Sequence, residues 1–223
     1  MNTFKLLMAA SCFLAMTTSG VAKQDYSKSE GLLQYVDPYI GSGFHGHVFV
    51  GTSVPYGMVQ LGPNNIHKGW DWCSGYHYSD SILIGFSHTH LSGTGCIDLG
   101  DILFRPSLQT PLAFSHSDEK ASPGYYSVNL REAGVLAELT TTPHVGIHRY
   151  TYKKGIESTL VVDMDHLLDN EYIYEGWVKQ TGENELTGMR RTRGWVDNQY
   201  VFFVAQFSQP FSSMEQPSER QAV

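Results

Sequence analysis

The sequence predicts an all-β protein, a large antiparallel two-sheet β-sandwich preceded by a cleavable signal peptide. Three observations predict it. From Tyr35 onward, short apolar runs rich in Val, Ile, Tyr and Phe recur between clusters of Gly, Pro, Asn and Asp, the pattern of many short strands joined by turns. Several runs alternate. Tyr126, Val128 and Leu130 share one face, as do Val135, Ala137 and Leu139, which is the period of a half-buried strand. No window of twelve residues keeps a 3.6-residue apolar period, so amphipathic helices are not expected.

The elements follow in chain order. Residues 1–22 read as a signal peptide: Lys5 supplies the positive start, Leu6 to Met16 the apolar centre, and Gly20-Val21-Ala22 the small-residue cleavage site. The apolar run is shorter than the about 20 residues of a spanning helix, so no membrane span is expected. Export follows, with a bacterial periplasm as the expected compartment. Cys12, after Ala-Ala-Ser, keeps a lipoprotein as the alternative. Residues 23–34 form a polar leader, residues 35–212 the β-domain, and residues 213–223 the start of an inter-domain linker or a truncated end. The expected strands are Gly57–Leu61, Ile82–His88, Asp101–Arg105, Tyr125–Leu130, Val135–Thr140, Gly146–Tyr152, Ser158–Met164, Tyr172–Lys179, Leu186–Arg191 and Tyr200–Phe207.

Composition narrows the function. The 22 acidic and 15 basic residues leave a charge of −7, which argues against nucleic acid, whose phosphates need a clustered basic face. Charged residues are 17% of the chain, below the about 25% of an average domain. Low charge with many aromatics and glycines gives neutral polar surfaces, suited to sugars rather than phosphates. Removing the signal leaves Cys73 and Cys96. An exported protein can form a disulfide, but two cysteines make no framework; they read as small buried residues, and their pairing stays open.

Four constellations carry the chemistry. Asp37 to Gly57 (DPYIGSGFHGHVFVGTSVPYG) holds five glycines and two prolines, an ordered loop. Its His45-x-His47 spacing suits a metal in principle, yet no Glu follows until Glu119; one His bonding a ligand and one bracing the loop is the preferred reading. Gly69 to Tyr78 (GWDWCSGYHY) sets Trp70, Trp72, Tyr76 and Tyr78 near Asp71, Ser74 and His77. Aromatic faces stack on a pyranose while the polar groups take its hydroxyls; strand alternation would point Trp70 and Trp72 one way and Asp71 and Cys73 the other. Gly85 to Pro106 repeats the paired imidazoles at His88 and His90 and adds Asp98 and Asp101. Those carboxylates read as turn caps before they read as an acid and a base. Leu186 to Phe211 clusters Arg190, Arg191 and Arg193, either an anion patch or pairing with acidic residues.

Together these segments resemble, in order over nearly all of residues 35–212, the N-terminal domain of glycoside hydrolase family 92, the calcium-dependent exo-acting α-mannosidases. The resemblance rests on YVDPYIGSGFHGHVFVGTSVPYGMVQLGPN, GWDWCSGYHYSDSILIGFSHTHLSGTGCIDLGDILFRP, PGYYSVNL and MRRTRGWVDNQYVFFVAQFSQPF. It implies a two-domain enzyme, a β-sandwich followed by an (α/α)6 barrel that removes terminal α-mannose from glycans with inversion. The acid, the base and the calcium ligands belong to the barrel, so no calcium is expected on this chain. The sandwich loops help wall the sugar pocket, and by resemblance that role falls on Phe44, His45, Trp70, Trp72 and Cys73. Phe44, Val48-Phe49-Val50 and Val196-Asp197-Asn198 depart from the common pattern. The first two lie in the pocket loop, which puts linkage preference in doubt.

The expectation is therefore the exported sandwich of an α-mannosidase, with mannose-containing glycans and the C-terminal (α/α)6 barrel as partners, inactive by itself and prone to self-association through an uncovered docking face. The alternatives are a stand-alone carbohydrate-binding module and a metal-dependent enzyme using the paired histidines.

Overall fold

A computed structural model of the chain describes residues 31–168 and 172–215. The expected signal peptide and most of the polar leader lie outside the described residues. Residues up to Gln34 and residues from Tyr35 on form separate units. Within the first, Gln34 Nε2 donates to Gly31 O at 2.6 Å.

The second unit is antiparallel β. Its strands are β1 (Gly62–Asn64), β2 (Ile82–Leu83), β3 (Gly85–Ser87), β4 (Leu103–Arg105), β5 (Leu112–Ala113), β6 (Glu119–Ser122), β7 (Tyr125–Leu130), β8 (Val135–Thr141), β9 (Gly146–Tyr152), β10 (Val161–Asp163), β11 (Tyr172–Gly182), β12 (Glu185–Arg193) and β13 (Gln199–Gln206). They form sheets in the orders β1-β3-β4-β10, β2-β5, β6-β7-β8-β9 and β11-β12-β13. Among the described residues no helix is long and apolar enough to cross a membrane.

The alternation in β7 and β8 builds one layer of the sandwich. Tyr126 pairs with Leu139, Val128 with Ala137 and Leu130 with Val135, so six apolar side chains share a face. They pack on Leu61, Leu83, Phe86 and Leu112 of the facing layer. Each fully buried side chain of this size stabilises by about 1.5–3 kcal/mol relative to exposure. A buried carboxylate sits in this layer. Glu119 of β6 accepts the Tyr126 hydroxyl at 2.6 Å, the Tyr76 hydroxyl at 3.0 Å and His116 Nδ1 at 2.9 Å. Burial pushes the Tyr126 phenol up, and the Glu119 charge pushes it further, so that hydroxyl stays a donor.

The second half of the chain follows the sequence expectation closely, and the first half departs from it. The expected strand Gly57–Leu61 is not a ladder. Met58 N bonds to Pro143 O, Gln60 N to His88 O, and Leu61 pairs alone with Thr52; regular pairing starts at Gly62. Ile82–His88 divides between two sheets, because β2 pairs with β5 while β3 pairs with β1 and β4. The division falls at Gly85, where a Cβ would lie 2.8 Å from both Leu103 Cγ and Phe104 O. Asp101–Arg105 and Ser158–Met164 shorten to β4 and β10. Strands β5 and β6 were not expected; one is two residues long, and the other (Glu-Lys-Ala-Ser) has no β-branched residue and takes its place from pairing with β7.

Sheet β11-β12-β13 has unlike faces. Leu186, Arg190 and Thr192 are buried on one. On the other, register aligns Trp177 with Met189 and Phe202, Lys179 with Thr187 and Val204, and Glu175 with Arg191 and Tyr200. There Tyr174, Trp177, Tyr200, Phe202 and Val204 are exposed, Phe202 at 70%. Cations lie against the rings: Arg191 is 4.5 Å from the Tyr174 centroid and 5.5 Å from that of Tyr200, and Lys179 is 5.0 Å from that of Trp177. An apolar, aromatic face of this extent marks an interaction surface.

Candidate functional site

Three loops of the first half converge. The loop 41–48 is wound tightly: Gly46 N donates to Gly43 O and Val48 N to Gly41 O. Gly41, Phe44 and His47 have φ of 82°, 50° and 55°, the last two in a region that costs a non-glycine residue energy. The strain turns Phe44 outward, 87% exposed, while its carbonyl is bonded to His77 Nε2 at 3.2 Å.

The second loop carries Trp70–Trp72 on a single 3-10 turn, closed by Cys73 N to Trp70 O. Strand alternation therefore does not apply here. With three residues per turn, Trp70 and Cys73 stack along one side and Trp72 turns away. Trp70 is 54% exposed, whereas Cys73 is 1% exposed and burial pushes its thiol up. Trp72 is braced: Nε1 donates to Asp80 Oδ2 at 3.1 Å, and the ring stacks on His77 at 4.4 Å. Cys73 and Cys96 are free thiols, the first buried and the second only partly, which corrects the expectation of two buried residues.

Asp71 joins the two loops. Its Oδ1 accepts from His45 Nδ1 at 2.6 Å and lies 3.4 Å from His47 Nε2. The His45 hydrogen bond is the main cause that holds the Asp71 carboxyl below its ordinary value. An ionised carboxylate only accepts, so His45 carries its proton on Nδ1 and presents Nε2 outward. The third loop closes the cluster: Trp70 Nε1 donates to Gly95 O at 2.7 Å, Gly93 N donates to His47 O at 2.7 Å, and the His47 ring meets Trp70 edge-on at 4.2 Å.

Of the five residues expected in the pocket, His45 and Trp70 come together, their ring centroids 5.5 Å apart; Phe44 is exposed, Trp72 turns to His77 and Asp80, and Cys73 is buried. His45 and His47 converge on Asp71, whereas His88 and His90 turn to different partners. His88 Nδ1 donates to Ile102 O while Nε2 faces His148 Nε2 at 2.9 Å; His90 bonds to Gln60 O and faces Ser87 and Asn64. Among the described residues no three His, Cys, Asp or Glu side chains are placed to hold a metal.

Asp98 and Asp101 do structural work. Asp98 accepts from Leu99 N and, through Oδ2, from Trp195 N at 2.9 Å. Asp101 accepts from Thr89 Oγ1 and Gln199 Nε2, both at 2.9 Å, and lies 3.5 Å from the fully buried Arg190. Arg191 is 3.9 Å from Glu175. Arg190 and Arg191 thus pair with carboxylates. Sequence reasoning assigned no role to Trp195, the exposed tip of the β12–β13 turn; the only signal was a tryptophan between two strong strands.

Replacing Gly46 by alanine is expected to unseat this site. A Cβ there would lie 2.1 Å from Gly41 O, a backbone atom that cannot swing aside. Overpacking of this kind costs about 1–3 kcal/mol. Loss of the His45 Nδ1–H resonance, with the β7–β8 amides unmoved, is the expected NMR signature. An unshifted His45 would contradict it.

Known proteins match this chain in sequence and fold. The glycosyl hydrolase family 92 N-terminal domain matches residues 35–222. The chain belongs to glycosyl hydrolase family 92. A family 92 α-mannosidase of Bacteroides thetaiotaomicron, solved with mannoimidazole, superposes with a TM-score of 0.77 at 34% identity, over 81% of this chain and 26% of that one. The family 92 glycosyl hydrolase ccman5 superposes at 0.70 with 26% identity, over 80% and 26%. An uncharacterized secreted glycosidase of Arthroderma benhamiae is 29% identical over 160 residues, 62% of this chain and 20% of that protein. This family 92 domain therefore spans about a quarter or less of its relatives. The site just described lies wholly within the matched residues.

Proposed function

We propose that this family 92 domain forms one wall of the mannose pocket of an exported, inverting exo-α-mannosidase acting on glycans. The observation that carries the reading is the pairing of His45 with Trp70, ring centroids 5.5 Å apart, held by Asp71, His47 and Gly95 from three separate loops. Trp70 offers an aromatic face to the C–H face of a sugar, and His45 Nε2 offers a hydrogen-bond partner to a hydroxyl. The α-mannosidase solved with mannoimidazole supports the sugar class.

In this reading the general acid, the base and the calcium ion belong to an (α/α)6 domain. Among the described residues no three His, Cys, Asp or Glu side chains are placed to hold such an ion. The aromatic face of β11-β12-β13 is where the partner domain packs; Phe202 and Val204 carry no polar group for a sugar, and inter-domain contacts bury about 600–1,500 Å².

The test is hydrolysis and calorimetry of α-mannobiose with the pure chain. No turnover and a Kd in the millimolar range, worth about 4 kcal/mol, are expected of a pocket with one wall. Turnover would place the acid and base on this chain and refute the reading. Micromolar binding without turnover would favour a stand-alone carbohydrate-binding module.

A further inference from the structure

We infer that Trp195 is a second sugar-stacking station, which receives a further ring of a mannose oligosaccharide whose terminal ring rests on Trp70. The inference rests on the pocket reading above and extends it to a residue outside that pocket.

Two of the exposed tryptophans, Trp70 and Trp195, hang from one short stretch of loop. Trp70 is tied to Gly95 O through its indole N–H at 2.7 Å, and Trp195 is tied to Asp98 through its backbone N–H at 2.9 Å. Gly95 and Asp98 are three residues apart, a span of at most about 10 Å. The two anchors are therefore within reach of a short oligosaccharide.

The turn that carries Trp195 is clamped. A Cβ on Gly194 would fall 2.1 Å from Asp98 Oδ1, so the turn lies flat against that carboxylate. Beneath it, buried Asp101 holds Gln199 of β13 and lies beside Arg190 of β12. Despite this anchoring, Trp195 is 66% exposed. A clamped backbone holds this exposed indole in one place, the preorganisation that a stacking site needs. An indole has a flat apolar face and one N–H donor, the combination that fits a ring of C–H bonds edged with hydroxyls. The β11-β12-β13 face differs, because cations already lie against its rings.

The experiment follows the indole N–H resonances of the full 223-residue chain during titration with mannose and with α-mannotriose. Trp195→Phe assigns one resonance and Trp70→Phe the other. Mannose is expected to move Trp70 alone; mannotriose is expected to move both. Trp195→Ala is expected to weaken mannotriose about three- to ten-fold and to leave mannose binding as it was. If mannotriose moves Trp70 and not Trp195, the second station is refuted and the pocket reading survives. If mannose alone moves both, the two indoles serve one ring and the inference fails. If neither sugar moves Trp70, the pocket reading fails and takes this inference with it.

Discussion

Asp101→Ala is expected to lower the unfolding free energy of the chain by about 3 kcal/mol, the lower end of the range for breaking a buried ion pair from one side. Arg190 is fully buried and has Asp101 3.5 Å away. Its other contacts remain, which is why the lower end applies. Thr89 and Gln199 lose their acceptor as well. Burial pushes the Asp101 carboxyl up and Arg190 pulls it back down, so the pair is held against a desolvation cost and each partner depends on the other. Asp101→Asn keeps an oxygen for Thr89 and Gln199 while removing the charge, and should fall between wild type and Ala. Urea unfolding decides it, with the midpoint moving and the slope unchanged. If the Ala variant loses less than about 1 kcal/mol, the pair is not a tie between the glycine loop and β12.

Acid is expected to unfold the chain well before the carboxylates of its surface titrate out. His90 and His166 are buried and neutral. Burial is the main cause that holds them down, to about 4 and about 3. Gln60, Ser87 and Asn64 line His90, with Phe49 stacked on its ring. Asn64 Nδ2 also donates to His166 Nε2 at 3.2 Å, which requires that nitrogen unprotonated. Both pKa values are depressed in the fold, so the stabilisation is complete above about 6.5 and is lost as pH falls toward 4 and 3. At pH 4.5 each contributes a loss of about 2–3 kcal/mol, against a typical total of about 5–15 kcal/mol. His88 and His148, whose Nε2 atoms are 2.9 Å apart, are lowered too and add to the loss. The raised carboxyl of Asp101 works the other way, as one group against four. Urea midpoints at pH 7.5, 5.5 and 4.5 should fall steeply. His166→Gln should flatten that fall even where it lowers the midpoint at pH 7.5. Equal midpoints at pH 7.5 and 4.5 would show that the imidazoles are already charged in the fold.

Legibility differed between the two halves of the chain for a physical reason. In β7 and β8 every other residue is apolar, and β7, β8 and β9 each pair with a sequence neighbour. Local pattern and tertiary contact therefore agree, and the strands stand where alternation put them. In residues 37–106 the backbone bonds to distant loops instead, as Gln60 N does to His88 O and Ile84 N to Asn64 O. Such pairings leave no period in the sequence. The Trp70–Trp72 turn shows the cost: read as a strand it gives the wrong neighbours, because Gly69 bends the chain into a 3-10 turn that only the packing of Trp72 on His77 and Asp80 makes visible.

By itself the sequence determined the fold class, through apolar alternation, and the family, through the four segments that resemble it; densely placed Gly, His and Trp marked the loops of the candidate site, since all of these are local properties of the chain. Only the tertiary structure decided the division of labour inside those loops. It exposed Phe44, His45 and Trp70 and buried Cys73, made Asp71 the joint between two loops, turned Asp98 and Asp101 into ties, and brought Trp195 from the far end of the chain against the loop that also holds the Trp70 indole. These outcomes depend on which buried polar atoms find partners. A carboxylate or imidazole in a desolvated interior must be satisfied by whatever the fold places beside it, and those neighbours lie 98 residues away for Asp101 and Gln199 and 97 for Asp98 and Trp195.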